Sequence, residues 1–219
     1  MPSTSLTRTA AACSIAGVVL LVAHQLVLGS MPPPDASAAT ATHYLNTHST
    51  AMLSSAWLDG FGSVLLVLAV YAMARMTGSG FWHDVTVRVA GVVIALSLVI
   101  DAVLVAGVGA ATSGATAAAG TMWTLAGAVD QVFPVANAVW MTTLGVLLVG
   151  SRTLPILLGR LLVAVGVLEL VGGTAALYSD GAKAVNNLVF VAFLAWLLVA
   201  GIVLAVRSRR ALDPAFSPA

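Results

Sequence analysis

Charge is what this sequence most lacks. Only 8 % of its 219 residues are Asp, Glu, Lys or Arg, where a water-soluble domain carries roughly a quarter. Water is therefore not its main solvent. The formal charge of +1 makes no case for nucleic acid as a partner. Cysteine is nearly absent, and the single thiol, Cys13, cannot close an internal disulfide. The motifs of soluble catalysis are missing as well. There is no Walker loop, dinucleotide glycine fingerprint, HExxH zinc helix or GxSxG elbow. A Schiff-base pigment site would need a lysine deep in an apolar run, and the one lysine, Lys183, falls at a rim. His43 and His48 are five residues apart, the wrong spacing to share one face of a helix, and read as solvated link residues. No cofactor signature is legible.

Hydrophobic residues, at 60 %, are what the chain has instead. A helix rises about 1.5 Å per residue, so roughly 20 apolar residues cross a hydrocarbon core. Runs of that kind lie at 10–29, 53–74, 87–110, 122–150, 156–178 and 185–206. They predict an all-α polytopic membrane protein, a six-helix transmembrane bundle forming one domain over 1–219. The first run is long enough to span and no small-x-small cleavage site precedes Met31, so it reads as a retained helix and not a signal peptide. The link 30–51 is the longest. It opens Met31-Pro32-Pro33-Pro34, a stiff extended piece, after which Asp35 is expected to cap a short Ala-rich helix ending near His48. The other links are short, so consecutive spans should be antiparallel neighbours.

Arg8, Arg75, Arg88, Arg152, Arg160, Arg207, Arg209 and Arg210 fall on one side of a six-span arrangement and Lys183 alone on the other. The positive-inside bias then places both termini in the cytoplasm of a cell-membrane protein. Trp57, Trp123, Tyr44 and Tyr178 come to the outer interface and Phe81 and Trp82 to the inner one, as interfacial anchors.

Five ionisable side chains sit within the runs: His24, Asp59, Asp101, Asp130 and Glu169. Counted from the outer end of each run, all lie within roughly 7–14 Å of the outer interface at about 1.5 Å per residue. Asn137, Asn186 and Asn187 add polar groups to the outer half. Ser55, Asp59, Gly62 and Ser63 share one helical face, and Ser97 lies one turn from Asp101. Gly166, Glu169, Gly173 and Ala176 form a small-residue stripe suited to close helix packing. Asp130, Pro134 and Asn137 share a face, and Pro134 has no N–H for the carbonyl of Asp130. A carboxylate and a freed backbone oxygen are thereby aimed at one place. A charged carboxylate at this depth costs several kcal/mol unless paired or hydrated, and no run contains Lys or Arg. Either the acids hold protons, or they bind a cation, or they line a wet pocket open to the outside. The bland alternative is an interhelical hydrogen-bond donor at each acid, worth about 0.6–2 kcal/mol; a packed histidine is the same alternative for His24, and packing or lipid contact for Trp140 and Trp196.

An Arg before the first run (Arg8), a long first link, Asp59 early in the second run, Asp130 in the fourth, and Leu154-Pro155-x-x-Leu158-Gly159-x-Leu161-Leu162 leading to Gly166 form a layout over most of the chain. It resembles a bacterial six-span family known as domain of unknown function four-three-eight-six. The last element is the most specific. The resemblance implies the six-helix architecture and brings no activity; its pattern does not extend to His24, Asp101 or Glu169.

Three functions fit these residues. The first is a binding or transport protein whose acids (Asp59, Asp101, Asp130, Glu169, with His24, Asn137 and Asn186) hold a cation, a proton or a cationic small molecule in an outward-facing pocket. The second is an intramembrane acid/base enzyme acting on a lipid or isoprenoid, which requires His24 beside a carboxylate. The third is an accessory subunit whose polar layer meets a partner's helices. The partners left open are the bilayer, a cation or small hydrophobic ligand, a second copy of the chain, and a membrane complex.

Overall fold

In hydrocarbon every backbone N–H and C=O must find its partner within the chain, so long apolar runs with few internal prolines fold as helices. A computed structural model describes residues 4–176 and 180–210, with backbone alone over 180–186. Its helices are α1 (Thr4–Leu28), α2 (Ala38–Thr47), α3 (Ser49–Thr77), α4 (Phe81–Thr112), α5 (Thr116–Asp130), α6 (Phe133–Ser151), α7 (Ile156–Ala176) and α8 (Asp180–Arg210). Among the described residues there is no strand. Six segments are long and apolar enough to span a bilayer: α1, α3, α4, the pair α5–α6 taken together as Thr116–Ser151, α7, and Asn187–Arg210 of α8. The chain is an integral, multi-pass membrane protein.

The spans stand in a closed ring. Each packs on the next in sequence, α1 on α3, α3 on α4, α4 on α5 and α6, α6 on α7, α7 on α8, and α8 returns to α1. At the α6–α7 crossing the two backbones approach closely. A Cβ added to Gly145 would lie 2.8 Å from both the Gly159 carbonyl oxygen and the Val163 nitrogen, and one on Gly159 would lie 3.0 Å from the Gly145 oxygen. Only glycine lets two backbones meet so tightly. The arginine-bearing ends gather at one end of the ring. There Thr7 Oγ1 donates to Met76 Sδ at 3.5 Å, Thr153 Oγ1 to the Met76 carbonyl at 3.4 Å, and Arg207 Nη1 to the Thr153 carbonyl at 2.5 Å.

Buried apolar side chains form two separate clusters. The larger fills the ring around Val70, Met73, Trp140, Leu144, Phe193 and Leu197. The smaller, at the end of the ring away from the arginines, joins Ala41, Tyr44 and Leu45 of α2 to Val108 of α4 and Trp123 of α5. It is the core of a cap made by the first link folding back onto the bundle. Pro34 and Ala38 seat on two glycines of α5, Gly127 and Gly120, where an added Cβ would fall 2.5 and 2.6 Å from their side chains. Trp123 Nε1 donates to the Pro33 carbonyl at 3.0 Å and Tyr44 Oη to that of Leu28 at 3.1 Å. Burial pushes the Tyr44 phenol up, which keeps it in the donor form.

This cap corrects the expectation that Trp123 and Tyr44 are interfacial anchors. Both are buried, at 4 % and 8 % exposure. Depth counting locates an aromatic along the membrane normal but does not register chain folding over it. Trp57, Phe81 and Trp82 are exposed, as expected of anchors, and Tyr178 lies outside the described residues. The cap of α2 is Ser37, whose Oγ accepts from Thr40 N at 3.2 Å; Asp35 is two residues too early. The fourth span begins at Thr116, six residues before the expected start, and is interrupted after Asp130.

Candidate functional site

Of the polar side chains predicted from the sequence, Asp59 and Asp101, Asn137 and Glu169, and His24 lie on three helix contacts. At the first, between α3 and α4, the Asp101 and Asp59 carboxyls face each other. Ser97 Oγ donates to Asp59 Oδ2 at 2.5 Å and shares a 3.1 Å hydrogen bond with Ser63 Oγ, so the serine faces of the two helices are joined. Asp101 is buried, and its Oδ2 has no hydrogen-bond partner among the described residues. That oxygen lies 3.9 Å from where a Cβ on Gly60 would sit, an ordinary contact distance.

The second contact lies between α6 and α7. Gly166 seats on α6 so closely that an added Cβ would be 3.1 Å from the Ala138 carbonyl oxygen and 3.0 Å from Thr142 N. One turn further along α7 this packing buries Glu169, 3 % exposed, on the side of the helix that faces α6, where Asn137 is also buried, 4 % exposed. Asn137 Oδ1 in turn accepts from Trp140 Nε1 at 2.9 Å. Glu169 Oε2 is buried and has no hydrogen-bond partner among the described residues.

Asp130 stands between these contacts. It is the last residue of α5, it is exposed, and it lies within electrostatic reach of Asp59 on one side and Glu169 on the other. The helix breaks here because Pro134 has no N–H to offer Asp130. The chain crosses the gap through Gln131 N to Gly127 O at 3.2 Å, Val132 N to Val129 O at 3.0 Å and Val135 N to Val132 O at 3.3 Å. The interruption expected from Pro134 is therefore present. The break also turns Asp130 outward while Asn137, two turns on, stays buried, so the face they were expected to share is not kept.

His24 belongs to neither carboxyl pair. Its Nδ1 meets Ser55 Oγ at 2.7 Å and the Ser55 carbonyl at 3.1 Å, one turn from Asp59. Among the described residues the one ion pair is His83–Asp84, at 3.0 Å. The His24–carboxylate pair that an acid/base enzyme requires is thus not formed. The side chains of Asn186 and Lys183 lie outside the described residues, and Asn187 is exposed. Among the described residues no three His, Cys, Asp or Glu side chains come together as a metal site. Sequence reading passed over His83, a buried imidazole near the start of α4 whose Nε2 has no partner. It precedes the expected third span by four residues, so a search confined to the apolar runs could not reach it.

A groove of about 620 Å³ is cut into the α1–α3 face, but its walls are Leu20, Trp57, Leu58, Phe61, Val64 and Leu65 with one hydroxyl residue, Ser54, and none of the acids lines it. The acids form a layer of helix–helix contacts, opened at Asp130. No family model, curated protein or solved structure matches the chain. The likeness to the six-span family therefore rests on the residues quoted for it above.

Proposed function

We propose that this is a cell-membrane transport protein, with both termini cytoplasmic, whose outer acid layer exchanges a proton for a cation or cationic small molecule. One observation carries the reading. Asp101 and Glu169 are buried, and among the described residues each keeps a carboxyl oxygen without a partner and neither is in ion-pair contact with a basic side chain. Two carboxyls as close as Asp59 and Asp101 repel when both are charged, so they favour a proton or another cation between them. The acids pair and do not cluster in threes among the described residues, an arrangement suited to a proton or a singly charged cation, where a divalent metal takes a cage of roughly six to eight oxygens. Asp130, exposed at the broken helix, is the mouth of the layer, and its freed carbonyl supplies a neutral oxygen ligand, as interrupted helices do in transporters.

The test uses the full chain in liposomes with a trapped pH dye, challenged in turn with Na+, K+, Mg2+ and tetraethylammonium. Proton counterflow with a monovalent cation, lost in Asp101→Asn and Glu169→Gln, is the expected result. No counterflow with any of the four, or counterflow unchanged in both variants, refutes the reading. Orientation is checked by introducing single cysteines beside Arg8 and Arg210 in a Cys13→Ser background. Both should resist an impermeant thiol reagent applied to intact cells.

A further inference from the structure

Among the described residues three acidic or imidazole side chains are buried: Asp101, Glu169 and His83. The first two belong to the outer acid layer. His83 precedes Asp101 by 18 residues on α4, about 27 Å along the axis and close to the full thickness of a hydrocarbon core. It stands at the arginine-bearing end, beside the exposed Asp84. One stripe of α4 joins the two ends. His83, Thr86, Ala90, Val93, Ser97 and Asp101 are all buried and follow one another at steps of three or four, the spacing of a single helical face. Thr86 Oγ1 donates to Thr143 Oγ1 of α6 at 2.8 Å, and Ser97 bonds Asp59 and Ser63 of α3. The stripe is therefore turned into the ring, and only Ala90 and Val93 on it lack a polar side chain.

Chemistry fixes the form of the imidazole. Nδ1 lies 3.0 Å from Asp84 Oδ1, and an ionised carboxylate only accepts. Nδ1 therefore carries the hydrogen, and in the neutral ring Nε2 keeps the bare lone pair. That atom is buried and has no hydrogen-bond partner among the described residues. The helices packed on α4 at this end are α3 and α6. Their terminal arginines, Arg75 and Arg152, are exposed, as is Arg88 of α4 itself. None of the three forms an ion pair with His83 or Asp84.

We infer that His83 is the port of the proton path at the arginine-bearing end: Nε2 exchanges the proton with the acid layer along this stripe of α4, and Asp84 passes it to water. This deepens the transport reading and rests on it, because an acid layer that opens at Asp130 needs a second exit for its proton. A proton arriving at Nε2 makes the ring an imidazolium. The Nδ1 hydrogen then leaves through Asp84 to water, and exchange with that water restores the resting ring. Ala90 and Val93 form a dry step between the two ends, crossed only when water enters it.

The experiment pairs two measurements on the full chain. One is proton counterflow driven by Na+ or K+ in liposomes. The other is proton release to a dye when the same cation is added to detergent-solubilised protein, which reads the acid layer without a path across. His83→Gln should slow counterflow about a hundred-fold, the low end of what a positioned proton-transfer group supplies, and leave the release unchanged. His83→Ala should be slowed likewise and recover with added imidazole, which has a basic nitrogen, but not with pyrrole, a ring of the same size without one. Counterflow in His83→Gln equal to wild type, loss of release together with counterflow, or recovery with imidazole no better than with pyrrole overturns the role of His83. A wild-type chain that releases protons but gives no counterflow overturns the port; one that does neither overturns the transport reading beneath it. As a second readout, nitrogen NMR of neutral His83, assigned by its loss in His83→Gln, should show the hydrogen on Nδ1. A hydrogen on Nε2 leaves no base facing the bundle, and the inference fails.

Discussion

Replacing Gly145 by alanine should separate α6 from α7. The new methyl would lie 2.8 Å from the Gly159 oxygen, 2.8 Å from Val163 N and 2.7 Å from Val163 Cγ2. Two of those atoms are backbone and cannot swing aside, so the helices must part by roughly half an ångström or more to restore ordinary contact distances near 3.5 Å. Overpacking of this kind costs about 1–3 kcal/mol. Against it stands the gain from alanine over glycine inside a helix, about 0.5–1 kcal/mol. The net is a loss of about 0–2.5 kcal/mol for Gly145→Ala. Gly91, mid-helix in α4 with nothing within 4 Å of an added Cβ, supplies the control: the same substitution there has only the gain. The chain carries its own probe, because the sole cysteine, Cys13, is half-buried in α1 and becomes reactive to a thiol-activated dye on unfolding. Thermal unfolding in detergent should place Gly145→Ala below wild type and Gly91→Ala at or above it. Equal shifts for the two variants would refute the close crossing, and with it the packing that buries Glu169 on the side facing α6.

Other outcomes follow from single contacts. Trp123→Phe removes the donor to the Pro33 carbonyl and should destabilise the cap by about 1 kcal/mol, seen as faster amide exchange across α2 with little change in α7. Ser97→Ala removes the hydroxyl that joins Asp59 to Ser63; it should weaken the α3–α4 contact by about 1–2 kcal/mol and change proton counterflow more than Ser113→Ala, at an exposed serine at the end of α4. Arg152 holds a left-handed backbone, φ 54°, where it ends α6. Arg152→Gly should therefore raise the unfolding temperature, by relief of about 1 kcal/mol.

Much of this bundle is visible in the chain before any coordinates. Six apolar stretches near 20 residues dictate six spans because the bilayer thickness is a fixed ruler. The interruption at Asp130 is equally legible, since a proline four residues on cannot donate to it whatever the surroundings. The common depth of the acids comes from counting alone. What counting cannot supply is who meets whom. His24 is at the right depth to meet a carboxylate and bonds Ser55 instead, because the rotation of α1 about its axis is set by packing on α3. Trp123 and Tyr44 have the composition of membrane-surface residues and are core residues of the cap, because Gly120 and Gly127 offer seats that become visible only once Ala38 and Pro34 are in them. The Trp140–Asn137 hydrogen bond joins residues i and i+3 of one helix, a spacing legible in the chain; that Glu169 packs beside α6 is set by the Gly166 crossing and is not.

The contact between α1 and α8 has a consequence for how the protein is made. These helices close the ring, with Gly201 against Ser14 and the Ala11 carbonyl, yet nearly two hundred residues separate the two faces in the chain. During synthesis α1 enters the bilayer while α8 has not been translated. The hydroxyl of Ser14, fully buried in the finished ring and without a partner among the described residues, must meanwhile face lipid or a helper protein. The ring is consequently sealed last along this seam, and a chain halted before α8 would present an open, Ser14-bearing edge to whatever in the membrane recognises unfinished proteins.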